Sequence, residues 1–168
     1  TFSYDKTIWT DTKTYNTTTP AMDTKEGKFA SFHTLPFTQL RLGLKVGTDL
    51  RWLTITYKAT SLYDLLKDGK YKSLTVGRTQ WMALMANSWL QPYCNQEGFN
   101  VRPNSTHNRA RIGIVANNEN SCASPDSHLG IGTGAGGCGY NPIGSAGNVA
   151  ASCSPVRNVP AFAYIFAR

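Results

Sequence analysis

Polar and apolar residues alternate strictly from Gln39 to Val46, with Leu40, Leu42, Leu44 and Val46 pointing one way and Arg41 and Lys45 the other. A period of two marks a strand with one face buried and one in water. Gly47-Thr48-Asp49 reads as a turn. The alternation resumes from Trp52 to Lys58, with Leu53, Ile55 and Tyr57 on one face, so the two runs predict a hairpin.

The period then changes. Ser61-Leu-Tyr-Asp64 places an acid three residues after a hydroxyl, the arrangement of a helix N-cap, and Leu62, Leu65 and Leu66 form a helical stripe that Asp68-Gly69 closes. A second short helix is predicted over Thr79 to Ala86, with Trp81, Leu84 and Met85 buried as core. Arg111 to Ala116 is apolar and β-branched and predicts a central strand. Pro160 to Ala167 predicts another. Thr14 to Thr24, Thr-rich and holding Pro20, reads as a loop. The segment from Asn117 to Val159 is glycine-rich, carries three of the four cysteines and is poor in large apolar residues. A loop of that length is usually functional or disordered, and its cysteines favour one held by cross-links or by an ion. Antiparallel strands, two or three short helices and long irregular connections predict one α+β domain spanning residues 1–168.

Composition adds to this picture mainly by position. Of 168 residues, 40% are hydrophobic and 16% charged, and 17 Lys and Arg against 10 Asp and Glu give a net charge of +7. That balance excludes an acidic, solvating disordered chain, and no stretch approaches the roughly 18 uninterrupted apolar residues of a membrane span. Lys67, Lys70, Lys72 and Arg78, interrupted by Asp68, and the looser group Arg102, Arg109 and Arg111 match no nucleic-acid recognition motif; the charge is assigned to solubility. With no initiating Met and no basic-then-apolar leader, the chain is expected to be a mature or trimmed product.

Seven of the ten acids lie between Asp5 and Asp68. The other three, Glu97, Glu119 and Asp126, all sit within four residues of Cys94 or Cys122. The cysteines show no spacing typical of zinc, and an even number with low charge suits a secreted protein with disulfides. Sequons at Asn16-Thr-Thr18 and Asn104-Ser-Thr106 are compatible with that compartment. Four cysteines allow three pairings. The favoured bond is Cys94–Cys122, which in the loop-entropy model contributes about 3.5 kcal/mol. Cys138 and Cys153 would then pair with each other, or one would bridge two chains.

If Cys94 and Cys122 are joined, the three acids are drawn into one neighbourhood with Asn95, Gln96, Asn117, Asn118, Asn120, Ser121, Ser124 and Ser127. Oxygen-only donors of this kind suit Ca²⁺, which also takes backbone carbonyls, and a cation offsets the repulsion among crowded carboxylates. The plainer alternative is that Asn-Asn-Glu-Asn only ends the strand in an Asx turn. A glycosidase built on Glu119 and Asp126 needs a formed cleft and one apolar-shielded acid, which these polar flanks do not predict. His33, His107 and His128 are scattered, and Gly130-Ile-Gly-Thr-Gly134 lacks the strand-then-helix frame of a nucleotide loop.

The segments Arg111-Ile-Gly-Ile-Val-Ala-Asn-Asn-Glu-Asn-Ser-Cys122, Asp126-Ser-His-Leu-Gly-Ile-Gly-Thr-Gly134, Cys138-Gly139 and Ala163-Tyr-Ile-Phe-Ala-Arg168 resemble the C-terminal half of intelectin-type lectins and related fibrinogen-like domains of cnidarian proteins. Trp9-Thr-Asp-Thr-Lys-Thr-Tyr15, Ser61 to Gly69 and Cys94-Asn-Gln-Glu-Gly-Phe-Asn100 are similar to the cnidarian branch, so the chain resembles small sea-anemone galactose-binding lectins. The resemblance implies a secreted lectin rather than an enzyme, with Ca²⁺ chelating two adjacent hydroxyls of terminal galactose. It matches Asn118 to a ligand asparagine, Glu119 to the acid after it, Asp126 to the position of a ligating histidine, and Cys94 and Cys122 to a family disulfide. No acid follows in 127–160, and Tyr140 stands where the family carries one. Asn117, Glu97, Asn141 or backbone carbonyls are therefore expected to complete the metal site. Tyr140 or His128 would stack on the sugar, with Asp126 and Asn141 also facing it. Multivalent presentation predicts a homodimer, with Cys138 or Cys153 as the candidate interchain bridge. The alternative is a structural matrix protein of the same fold, with Ca²⁺ pinning the loop and no sugar site.

Overall fold

The alternation around Leu42 forms a ten-residue strand, β1 (Phe37–Val46), which turns over Gly47-Thr48 into β2 (Asp49–Ala59). In this computed structural model, which describes residues 1–18, 22–103, 106–134 and 159–168, that hairpin is the predicted one. Leu40, Leu42, Leu44, Leu53 and Ile55 are buried, while Arg41, Arg51 and Thr54 are exposed. Burying each such aliphatic side chain stabilises the fold by about 1.5–3 kcal/mol.

Helix α1 (Ser31–Thr34) precedes the hairpin, and α2 (Leu62–Leu66) follows it. The predicted cap is present: Ser61 Oγ accepts from the Asp64 backbone N–H at 3.0 Å, and Leu62, Leu65 and Leu66 are buried. Strand β3 (Lys72–Ser73) and helix α3 (Arg78–Ala83) come next, with Trp81, Leu84 and Met85 buried as expected. Then come β4 (Tyr93–Val101), β5 (Arg109–Asn117), β6 (Ser127–Gly134) and β7 (Phe162–Ala167).

The strands make two antiparallel sheets, ordered β2-β1-β7 and β3-β4-β5-β6. Helix α2 packs on β2 and β4, and α3 on β2, β5 and β6, so one core joins the sheets through the helices. Tyr57 and Phe99 also meet across them, ring centroids 5.0 Å apart. With three short α-helices among the described residues, this is an α+β domain, the predicted class.

Two features depart from the sequence reading. The segment expected to be loop from Asn117 onward is a fully buried strand from Ser127 to Gly134, with Leu129 and Ile131 in the core. Glycine is what permits it: a Cβ on Gly130 would lie 2.3 Å from Ile112 O, and one on Gly113 would lie 2.4 Å from Leu129 O. Strands β5 and β6 thus approach too closely for side chains there. The N-terminal segment covers the second face of this pair. Tyr4 N–H donates to Thr133 O at 3.1 Å, and Trp9 lies against Gly132. Strand β4 is the other departure. A bulge between Tyr93 and Gln96, with Cys94 and Asn95 both left-handed at φ 67° and 53°, interrupts its alternation.

Candidate functional site

The strongest sequence candidates fall on the connection between β5 and β6. Asn117 ends β5, wholly buried, and its side chain closes the turn: Nδ2 donates to Ser121 O at 2.8 Å, and Oδ1 accepts from the Asn118 N–H at 3.0 Å. Ser121 N–H donates to Glu119 O at 2.7 Å. Cys122 then bonds Cys94 in the β4 bulge, across a Cα–Cα distance of 5.1 Å. This is the favoured pairing, and it ties the connection to β4. The connection rejoins the sheet where Asp126 N–H donates to Ala116 O at 3.0 Å and Ser127 Oγ donates to the same carbonyl at 3.1 Å.

Glu119 and Asp126 are brought together here. Asp126 is partly enclosed, and burial together with the negative charge of Glu119 raises its carboxyl above the ordinary aspartate value; His107 and a hydrogen bond from the Gln91 side chain oppose that rise. Asn118 Nδ2 donates to Glu119 Oε1 at 2.9 Å. The site therefore holds two mutually repelling carboxylates and an amide at the mouth of a disulfide-closed turn.

Glu97 does not join them. Its carboxylate accepts from Val76 N–H at 3.0 Å, Gly77 N–H at 2.9 Å and Trp81 Nε1–H at 2.6 Å, clamping the start of α3 onto β4. Among the described residues no group of three or more His, Cys, Asp or Glu side chains stands close enough to hold a metal ion. The expected convergence of Glu97, Glu119 and Asp126 is thus corrected to a pair. Asn117 is likewise consumed by its own turn.

His128, expected to border a sugar, lies inside the protein. Its ring is 1% exposed, so it offers no face to a ligand. Its Nδ1 is 2.6 Å from Asn108 Oδ1, and Asn108 Nδ2 donates to Pro125 O at 3.0 Å. Because Asn108 uses its amino group on Pro125, its oxygen must accept, which places the proton on His128 Nδ1. Burial and the nearby Arg109 charge push the imidazole pKa down to about 3, so the ring is neutral. This His128–Asn108–Pro125 chain positions the residue preceding Asp126.

Sequence reasoning gave no role to Gln91 and His107, which act on Asp126 from outside its own turn, or to Asn108, which bonds Pro125 and His128; they follow no spacing that would single them out. Tyr140 and Asn141, and with them Cys138 and Cys153, lie outside the described residues. Neither protein-family models, curated proteins nor solved structures give a match to this chain. The likeness to intelectin-type lectins therefore rests on the motifs quoted above.

The donor set can be weighed against Ca²⁺ on its own chemistry. Two carboxylates and the Asn118 amide are hard oxygen donors, and the Asp126 carboxyl is raised first by burial and then by the Glu119 charge, the second of which a cation would offset. These donors are of the type Ca²⁺ takes, and three of them fall short of the roughly six to eight oxygens it requires, so a site here would need further oxygen ligands.

Proposed function

We propose that this chain is a secreted, non-enzymatic carbohydrate-binding protein that holds Ca²⁺ at the β5–β6 connection and binds terminal galactose there. The pairing of the Glu119 and Asp126 carboxylates at the disulfide-tied turn is the observation that carries the reading. Asn118, Glu119 and Asp126 are the protein ligands in this proposal, and Tyr140 and Asn141 are the candidate sugar contacts. When bound, Ca²⁺ supplies a cation on which two adjacent sugar hydroxyls replace water. The chain's own residues do the rest. The Cys94–Cys122 bond and the Asn117 turn restrict the connection before any ligand arrives, which lowers the ordering cost of binding. Gln91 holds the Asp126 carboxyl by a hydrogen bond. A single sugar site is weak, so the proposal includes a homodimer that gains avidity from two sites.

The test is retention on immobilised galactose with Ca²⁺ and elution by a chelator, alongside calorimetric titration with Ca²⁺. Glu119→Gln and Asp126→Asn should each abolish both. Retention in chelator would overturn the reading. Ca²⁺ that raises the melting temperature without any glycan binding would replace it with the structural matrix protein, and turnover of a glycoside with a hydrolase.

A further inference from the structure

The outer face of the β2-β1-β7 sheet carries a second constellation, remote in sequence from Glu119 and Asp126. Strand register places its members in rows. Thr54, Arg41 and Phe166 stand side by side, and Trp52, Gly43 and Tyr164 form the next row. Gln39 and Arg168 exchange both backbone hydrogen bonds at 3.0 Å, so they are directly opposed beyond Arg41. Alternation puts all of these on the face turned away from Leu40, Leu42 and Leu44.

Trp52 lies across Gly43, where a Cβ would come within 2.6 Å of the ring, and leans on Tyr164 and Phe166 at centroid distances of 6.0 and 5.8 Å. The Arg41 guanidinium sits over the Trp52 ring, 4.5 Å from its centroid. The second guanidinium, of Arg168, donates through Nε to Gln39 Oε1 at 2.9 Å. Arg41, Arg168, Gln39, Thr54 and Phe166 line a common cleft of about 290 Å³. Arg41 and Arg168 are exposed, and neither pairs with a carboxylate among the described residues. No acidic residue stands in any of these rows.

Two flat cations, each held in orientation by a ring or an amide and neither paired with an acidic side chain among the described residues, form a fork for an oxyanion. Thr54 and Gln39 beside them offer hydroxyl and amide groups that suit a sugar. The Trp52 ring is occupied by Arg41, so the face does not present the successive bare rings on which nucleic-acid bases stack. We propose that this sheet face binds an acidic polysaccharide, with Arg41 and Arg168 holding one sulfate or carboxylate group in the cleft. The site needs no metal ion and is separate from the one proposed above.

Binding to dextran sulfate, carboxymethyl dextran and uncharged dextran, in chelator and at physiological ionic strength, tests this. Chelator silences the Ca²⁺-dependent site, so failure of either reading leaves the other measurable. The protein should bind the two charged polymers and not dextran, the stronger of the two identifying the oxyanion. Arg41→Gln and Arg168→Gln should each weaken binding about tenfold or more, the loss expected for a charge-assisted hydrogen bond. Arg41→Lys, which keeps the charge and loses the planar stack, should fall most of the way with them. Lys13→Gln, an equal charge loss on the exposed N-terminal segment, and Glu119→Gln should leave affinity unchanged. Equal weakening by Lys13→Gln and Arg41→Gln would reduce the effect to net charge and overturn the proposal. Tighter binding of oligo(dT) than of dextran sulfate would also overturn it, in favour of a nucleic-acid surface.

Discussion

An unfolded histidine takes up a proton between about pH 7.5 and pH 4.5, because its pKa is near 6.5. His128 in the folded protein does not, since burial and Arg109 hold its pKa at about 3. The folded state therefore binds fewer protons than the unfolded state throughout that window, and stability must fall with pH. The sign follows from the depressed value: the contribution is complete above about pH 6.5 and is lost as the pH drops toward 3. At about pH 4.5, two units below the unfolded value, the loss is roughly 2.7 kcal/mol, and its limit below pH 3 is roughly 5 kcal/mol. For a domain stable by about 5–15 kcal/mol, that is a large share of the total.

Urea unfolding at a series of pH values measures it, comparing the parent with His128→Gln. Glutamine can still donate to Asn108 Oδ1 and does not titrate, so the variant starts less stable at neutral pH but should lose about 2–3 kcal/mol less on acidification to pH 4.5. Asp11 and Asp68, held low by Lys28 and Lys72, titrate below this window and are common to both proteins. Parallel stability curves for the two would refute the account and return His128 to a water-accessible position.

Other expectations follow from the same geometry. Glu97→Gln should destabilise by about 2–3 kcal/mol, because it sets an amide against donors that a carboxylate satisfied, yet leave any Ca²⁺ titration unchanged; thermal melts and calorimetry read the two effects separately. Asp126→Asn should raise the melting temperature in chelator. Because the folded carboxyl holds its proton more tightly than the unfolded one, its ionisation costs stability as the pH rises above the ordinary aspartate value, and the asparagine avoids that cost. Gly130→Ala should cost about 3 kcal/mol or more, since its Cβ would meet the Ile112 carbonyl and not a side chain that can move aside; denaturant midpoints measure this.

The parts of the fold that could be read in advance are those where one face meets water. β1 and β2 advertise themselves because Arg41 and Thr54 must be polar where Leu42 and Leu53 must not be. The Ser61–Asp64 cap is local chemistry and equally visible. β6 hid because both its faces are buried and its approach to β5 replaces apolar side chains by Gly130 and Gly132, which a pattern of hydrophobicity counts as loop. β4 hid behind its bulge, where left-handed Cys94 and Asn95 shift the alternation before Glu97.

The candidate site shows the same division at finer scale. A disulfide tells which segments are near, and Glu119 and Asp126 do meet beside it, but Glu97 does not join them. The bond does not tell which side of the sheet a residue serves. Glu97 pairs with Ile114 inside the ladder, and its carboxylate is spent on the amides that open α3. Glu119 stands on the turn itself, and Asp126 one residue before β6, where no ladder claims their oxygens. The three acids present in the last hundred residues thus divide by role. One carboxylate is kept because a helix start and an indole need an acceptor. The other two stand near each other at the β5–β6 connection, where the cation proposed above would offset their like charge.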